Sequence, residues 1–423
     1  MSSHTPVAIT GLGAVCGAGL TLDAIWDAVL KGRSGIRPIS QWDASQWPVR
    51  LAAEVDADNR TLVPDRKLHK SISRTDMFGL FAADAAIQHS GLLSNREKLE
   101  PEKATQFNDR TGVFCGAGGG NYRSNYEYFP LMSVANRDLA VFGREIGSNV
   151  NPMWLLKNLP NNVLCHVGIR HGFKGTNGCV TNQCTGGILA VCESAAAIRY
   201  GEADRMVAVG HDRPLEPETL LHYYGLGLLT EDTLRPFDAR RAGTVFGEGA
   251  GAMVLESADA AKGRQAAVFG QFLGSGCVSE GTGILDVRPD GDGVKRAIQL
   301  ALKDAGIQTG EVGMIVAHGN GTRASDASEA RAIHDTFGPD LPPVTGFKWT
   351  FGHSIAASGV IDLALAVAGL RAGIVPGIAS LEALDPELNP FPVSTQAQKP
   401  RSNIALVICR GFGGMNVAVV IRS

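Results

Sequence analysis

Gly175-Thr-Asn-Gly-Cys-Val-Thr-Asn-Gln-Cys184-Thr-Gly-Gly187 runs directly into an Ala-rich segment, Ile188 to Tyr200, that stops before Gly201. A glycine just past an apolar run is a helix stop, so the spacing predicts a tight turn feeding a helix, with Cys184 at the helix N-terminus. Unpaired backbone N–H groups and the positive end of the helix dipole gather there, and both favour a thiolate over a thiol. The two glycines let a substrate come close to the backbone. Read alone, the stretch has two meanings: a nucleophile built on a helix end, or a small buried residue such as most free cysteines are. Cys179 and Cys192, in less telling surroundings, read as core.

Outward from this turn, short apolar strands alternate with Ala-rich helical stretches along the whole chain, the pattern of a layered α/β protein. Strands are expected at Val7 to Thr10, Thr111 to Phe114, Met206 to Val209 and Ala252 to Glu256, with helices near Leu22 to Leu30 and Phe78 to Gln88. The short polar stretch Ser257 to Arg264 divides the chain into residues 1–260 and 261–423. Beyond it the theme restarts: strands near Ala267 to Leu273 and Met314 to Ala317, helices near Val294 to Ala305 and Ser325 to His334. The chain closes on a hairpin, Ile404 to Cys409 and Val417 to Ile421, around Gly411-Phe-Gly-Gly.

The 423 residues exceed a single small module. Lys+Arg 39 against Asp+Glu 42 gives a net charge of -3, which excludes the basic balance of a nucleic-acid binder. No apolar run reaches the roughly 18 residues of a membrane span, and the first residues lack the pattern of a signal peptide. Eight cysteines without C-x-x-C spacing or a disulfide framework point to a reduced, cytoplasmic setting. Zinc-like spacings are missing, so no metal is expected. The Gly116-Ala-Gly-Gly-Gly run lacks the spacing of a dinucleotide loop. Gly 52 is the unusual count and suggests that backbone cradles something.

A thiolate needs proton-transfer or hydrogen-bonding partners to specify a reaction. His318 follows the apolar strand Met314-Ile-Val-Ala and opens a Gly-Asn-Gly-Thr turn, where α/β sheets place ligands. His353 lies in Lys348-Trp-Thr-Phe-Gly-His-Ser-Ile-Ala-Ala-Ser-Gly, again before a helix. Either alone reads as a structural histidine. Two in glycine-bounded loops, beside a helix-capped cysteine, point to a site.

Together these motifs resemble the elongating β-ketoacyl-[acyl carrier protein] synthases of the thiolase-like superfamily, over nearly the whole chain. Val7-Ala-Ile-Thr-Gly-Leu-Gly-Ala-Val is similar to the family's opening strand and turn, and Arg235-Pro-Phe-Asp-Ala-Arg-Arg-Ala-Gly-Thr-Val-Phe-Gly-Glu-Gly-Ala-Gly to its central signature. The resemblance implies an α/β fold, a five-layered αβαβα sandwich of two similar halves, and decarboxylative Claisen condensation by an acyltransferase. It makes Cys184 the acyl-accepting nucleophile, His318 and His353 the imidazoles of a Cys-His-His triad, and Lys348 and Glu329 a buried pair that orients them. Asp326 matches a further acidic position, Gly411, Phe412 and Gly413 a gating loop, and the backbone of Cys184 and Phe412 an oxyanion hole. Asn320 and Thr322 fall where the family contacts pantetheine, and Trp154 among tunnel residues that reach across a dimer. No cofactor is implied, because substrates arrive on the phosphopantetheine arm of acyl carrier protein.

Several positions depart from the family. Asn320 replaces a threonine, Asn182 and Gln183 enlarge the positions before the nucleophile, and Arg410 stands where an aromatic residue is common. Asn121-Tyr-Arg-Ser-Asn-Tyr-Glu-Tyr is more polar and aromatic than a tunnel for saturated chains requires, which suggests an unsaturated, aromatic or polyketide-like acyl group, as in aryl-polyene or polyketide ketosynthases. An acidic carrier asks for a basic docking face, and Arg66, Lys67, Lys70 and Arg74 form such a cluster, with a solvated helix face as the plain alternative. A homodimer is implied, with a heterodimer possible. Two other functions compete: a non-elongating chain-length-factor-like partner, against which Cys184 speaks, and a cysteine hydrolase, against which the second histidine, Lys348 and the Gly-Phe-Gly-Gly loop speak.

Overall fold

The computed structural model describes residues 6–118, 128–388 and 390–423. Ten strands build its main sheet: β1 (Val7–Cys16), β2 (Thr111–Ala117), β3 (Asn177–Thr181), β4 (Arg205–Asp212), β5 (Gly249–Ser257), β6 (Gly270–Ser279), β7 (Met314–Val316), β8 (Val344–Thr345), β9 (Ile404–Gly411) and β10 (Met415–Arg422). Their order across the sheet is β8-β7-β9-β10-β6-β1-β5-β4-β2-β3.

The order is one five-strand pattern used twice. In the first set β2 pairs in parallel with β3 and β4, and β5 pairs antiparallel with β4 and β1. In the second, β7 pairs in parallel with β8 and β9, and β10 antiparallel with β9 and β6. Only Val7 to Ile9 of β1 pair with β6 and join the sets.

Parallel neighbours need long crossovers, normally helical, and the helices repeat as the strands do. The opening helix α1 (Leu22–Leu30) precedes α2 (Arg74–Ser90), α3 (Asn162–His171) and α4 (Gly186–Arg199) of the first half, then α5 (Asp292–Ala305), α6 (Arg323–Phe337) and α7 (Ser358–Ala372) of the second. α4 and α7 lie between the two strand sets, where Ile188, Val191 and Ala195 meet Val360, Ile361 and Leu363 in the central core. α2 and α3 cover the outer face of the first set, and α5 and α6 that of the second. The result is the expected five-layered, thiolase-like αβαβα arrangement.

Layer position explains the residue patterns. α5 covers one face and buries Val294, Ala297, Ile298 and Ala301, spaced three and four apart. α7 is enclosed on all sides and is apolar almost all round. Among the described residues, one helix, Ile355–Ala372, is long and apolar enough to cross a membrane, and it is this buried central element. The stretch Ser257 to Arg264 is itself a short helix, Ala258–Gly263, because the Ser257 hydroxyl accepts from the Ala260 N–H at 3.1 Å and caps it.

Candidate active site

Cys184 is the middle residue of a single 3₁₀ turn, Gln183–Thr185, between β3 and α4. Gln183 takes φ +43°, in the left-handed region, and so turns the chain sharply enough to bring the sulfur to the helix end. Gly187 must be glycine, since a Cβ there would lie 2.1 Å from the Ala356 carbonyl oxygen. The first turn of α4 is thereby packed backbone to backbone against the turn that opens α7.

His318 follows β7, and its loop is pinned from below. The Glu329 carboxylate, on α6, accepts the N–H groups of His318 and Gly319 at 2.7 and 3.0 Å, and Asp326 those of Phe237 and Gly321 at 2.8 and 3.1 Å. Burial pushes the Glu329 carboxyl up and takes Asp326 up to about 7. The His318 Nδ1 accepts the Arg410 backbone N–H at 3.3 Å. A backbone N–H can only donate, so the imidazole proton is on Nε2. The His353 Nδ1 lies 3.0 Å from the Ser358 hydroxyl, which also accepts the Ser354 N–H at 2.9 Å and lies 3.2 Å from the Ser354 hydroxyl. The two rings meet edge to face, with centroids 5.2 Å apart.

Burial holds both histidines well below the usual imidazole range, and the Lys348 cation pushes in the same direction. Both are neutral N–H donors near pH 7. With Cys184, Asn320, Thr322 and Phe412 they line one cavity of about 90 Å³. Gly411 lies against Cys184: a Cβ built on it would be 3.6 Å from that of the cysteine. Phe412 stands 5.5 Å from the Tyr223 ring over the mouth, and Gly413 takes φ +73° in the loop behind it.

Three expectations are corrected. Lys348 pairs with Asp362, not with Glu329: its Nζ donates to Asp362 Oδ2 at 2.8 Å, and both side chains are fully buried. Glu329 is taken up by backbone N–H groups instead. The sulfur is not held ionised, because burial pushes the Cys184 thiol up to about 12, the Asp212 carboxylate adds to the rise, and Lys348 opposes it without prevailing. Arg74 is not free for a carrier: its guanidinium donates to the Ala57 carbonyl at 2.8 Å and to Asn59 Oδ1 at 2.7 Å, and lies over the Phe78 ring. Arg66, Lys67 and Lys70 are exposed.

Asn320 Oδ1 accepts the Thr322 N–H and hydroxyl at 3.0 and 2.8 Å, closing a local turn at the cavity wall. Trp154 sits on a short helix, Trp154–Lys157, edge-on to Tyr128 with centroids 4.9 Å apart, away from the cavity wall. Residues 121–127 of the polar aromatic stretch lie outside the described residues. Asp362 escaped the sequence reading although a signal existed: it is the lone charge in the apolar run Val360 to Leu370, and such a charge needs a buried partner. Asp212, at the end of β4, also escaped it. Burial takes its carboxyl up to about 7 beside Cys184.

A profile described as "Beta-ketoacyl synthase, N-terminal domain" matches residues 4–261, and one described as "Beta-ketoacyl synthase, C-terminal domain" matches residues 269–382. The chain belongs to the beta-ketoacyl synthase family. It is similar to a 3-oxoacyl-[acyl-carrier-protein] synthase 2 of Coxiella burnetii, at 31% identity over 98% of both chains. It is also similar to a tetracenomycin polyketide synthase ketoacyl synthase beta subunit of Streptomyces glaucescens, at 32% over 100% of this chain and 99% of the relative. Among solved structures, the ishigamide ketosynthase/chain length factor superposes with TM-score 0.85 at 25% identity over the full length of both chains. A beta-ketoacyl synthase from Burkholderia phymatum shares the fold with TM-score 0.87 at 24% identity over 99% of both. As a beta-ketoacyl synthase, the chain is an acyltransferase that forms carbon–carbon bonds by condensation.

Proposed function

We propose that the chain elongates an acyl group carried on Cys184 with malonyl-[acyl carrier protein], making a β-ketoacyl carrier product for fatty acid, polyene or polyketide synthesis in the cytoplasm. The observation that carries this is the enclosure of one cysteine and two neutral imidazole N–H donors in a single small cavity. In the first half-reaction Cys184 loses its proton to solvent, the thiolate attacks the carrier thioester, and the expelled carrier thiolate takes a proton back from water, so the step balances. In the second, the malonyl carboxylate departs as carbon dioxide. Negative charge then develops on the thioester oxygen, which takes hydrogen bonds from His318 and His353. Each such donor in a closed site contributes about 3 kcal/mol to the transition state.

The enolate carbon attacks the acyl-cysteine, its oxyanion meets the backbone N–H groups of Cys184 and Phe412, and the released thiolate takes a proton from water. Burial keeps both rings unprotonated, and Lys348, paired with Asp362, adds to that effect. Asn320 and Thr322 line the way in for the pantetheine arm, with Gly411 and Gly413 giving the gate its freedom, and Arg66, Lys67 and Lys70 offer the carrier an exposed basic face. The chain is read as two halves, 1–260 and 261–423. We read the assembly as a dimer with a second copy or a related subunit, with Trp154 close to the seam. β3 is the outer strand of the sheet, and Phe129, Met132, Val134, Leu139, Leu155 and Ile169 leave exposed apolar surface on the chain between β2 and β3.

Incubation with malonyl-carrier and a panel of acyl-carriers, followed by intact-mass measurement of protein and products, tests the reading. Acylation confined to Cys184 and products longer by two carbons are expected. Release of free acid with no elongation would assign the site to hydrolysis, and absence of any acyl adduct on Cys184 to a non-elongating subunit.

A further inference from the structure

Arg410 is a buried cation in the wall of the active-site cavity, one residue before the Gly411–Gly414 loop. Its side chain spends every donor it has. Nε donates to Asn416 Oδ1 at 2.9 Å, Nη1 to the Ser325 carbonyl and hydroxyl at 2.8 and 3.3 Å, and Nη2 to Glu280 Oε1 and the Ser328 hydroxyl at 3.0 and 3.3 Å. The partners come from four places: the start of β10, two successive turns of α6, and the residue just past the end of β6. Glu280 completes the knot, because it also accepts Asn416 Nδ2 at 3.1 Å and the Arg288 N–H at 2.9 Å.

This knot lies where two loops meet. The Phe412 loop and the loop from Glu280 to Arg288, whose Ile284, Leu285 and Val287 also line the cavity, are already joined by backbone. Gly413 N–H donates to the Ile284 carbonyl at 2.8 Å and Glu280 N–H to the Gly414 carbonyl at 2.9 Å. Arg410 adds the root of that contact and ties it to α6, the helix whose Glu329 fixes the His318 backbone. Its own backbone N–H occupies His318 Nδ1. A planar five-donor fork suits such a junction, whereas a lysine would meet only part of it.

We propose that Arg410 is a positioning residue for the malonyl half-reaction, fastening the two rim loops into one gate and presenting His318 to the thioester oxygen. The inference rests on the condensing role proposed above for this cavity. Two components act separately. The fork sets loop geometry; the charge joins Lys348 and His353 in adding to the burial that keeps the His318 imidazole neutral, while the Glu329 carboxylate is engaged by the backbone N–H groups of His318 and Gly319.

The experiment compares wild type, R410K and the double variant R410M/E280M, which replaces the buried ion pair by apolar side chains and so leaves no orphaned carboxylate. Cys184 acylation is followed by intact mass, and condensation with malonyl-carrier by product across pH 5 to 9. In R410K, which keeps the charge and loses the fork, condensation falls about tenfold and acylation about threefold or less, with the acid limb in place. In R410M/E280M the acid limb of condensation moves to higher pH, a change that repair of packing alone does not produce. Wild-type condensation and an unmoved acid limb in the double variant would overturn the proposal. So would equal losses in both half-reactions of R410K, which mark a purely structural arginine. Should the double variant fail to fold by thermal melting, R410K decides alone on the split between half-reactions. Failure of wild type itself to condense removes the functional reading, and this inference with it.

Discussion

The two halves of the chain build the same turn twice and use it differently. Gln183-Cys184-Thr185 opens α4, and Ile355-Ala356-Ala357 opens α7; both are single 3₁₀ turns, and their first residues take φ +43° and +45°. Each turn packs on a strand end from the other half. The Cys409 thiol, on β9, donates to the Cys184 carbonyl at 3.3 Å, while Asp212, at the end of β4, accepts the Ala356 N–H across a long 3.5 Å. A carboxylate oxygen thus sits by the second N–H of the α7 turn. In the function proposed above, the equivalent N–H of Cys184 takes an oxygen brought by substrate. One frame yields an inert joint where its acceptor is built in and its second residue is alanine. In that proposal it yields a reactive one where, among the described residues, no carboxylate takes that place and the residue is cysteine. The fold supplies the turn, and a few side chains supply the chemistry.

The largest effect that follows concerns the second residue of each turn. Cys184→Ala removes the only acyl acceptor the mechanism uses, so elongation falls at least about a thousandfold, while decarboxylation of malonyl-carrier, which needs the histidines and not the sulfur, persists. Ala356→Ser puts a hydroxyl at the equivalent step of the inert turn and gains no acyl adduct. Intact-mass measurement of both variants after incubation with an acyl-carrier checks the pair, and an adduct on the serine would erase the distinction between the turns.

How much of this was written in the sequence divides along the same line. The reactive turn was legible because glycine, cysteine and the helix stop at Gly201 carry local signals, and the two histidines because each follows a strand or precedes a helix. The duplication was not. Gln183-Cys-Thr-Gly-Gly and Ile355-Ala-Ala-Ser-Gly share a backbone path and only one residue, the glycine at 187 and 359, so no repeat shows. The Lys348–Asp362 pair was missed because a buried ion pair is a fact of tertiary packing, and the nearer carboxylate in motif terms, Glu329, was already committed to backbone N–H groups. The state of the sulfur was misjudged because the helix end was weighed without burial, which here is the larger effect.

The two half-reactions should respond differently to pH. The thiol is raised to about 12, so the reactive fraction grows about tenfold per pH unit throughout pH 6 to 9, and single-turnover acylation should rise without a plateau. The histidines are lowered well below 6.5, so their neutral forms are complete above that value and are lost only as pH falls beneath it. Condensation from a pre-acylated enzyme should therefore be flat over the same range. Rates of the two half-reactions, measured separately by rapid quench, check this; a plateau in acylation near pH 7 would mean that carrier binding lowers the thiol, restoring the ionised sulfur the helix end alone suggested.

The smallest effect concerns the first residue of each turn, and there magnitudes decide the sign. A non-glycine residue in the left-handed region costs roughly 1–3 kcal/mol, and glycine relieves that strain while giving back about 0.5–1 kcal/mol through the freer unfolded chain. Gln183 is polar and half-buried, so little else changes, and Gln183→Gly should stabilise the protein by up to about 2 kcal/mol. Ile355 is 3% exposed and packs with Phe246, Leu215 and Cys184. Removing its side chain costs about 3 kcal/mol or more in buried area and cavity, which exceeds the strain relieved, so Ile355→Gly should destabilise by about 2 kcal/mol. Urea melts of the two variants decide it. If both destabilise, the strain at Gln183 is held by contacts worth more than the strain itself, and that residue serves to seat the nucleophile rather than merely to turn the chain.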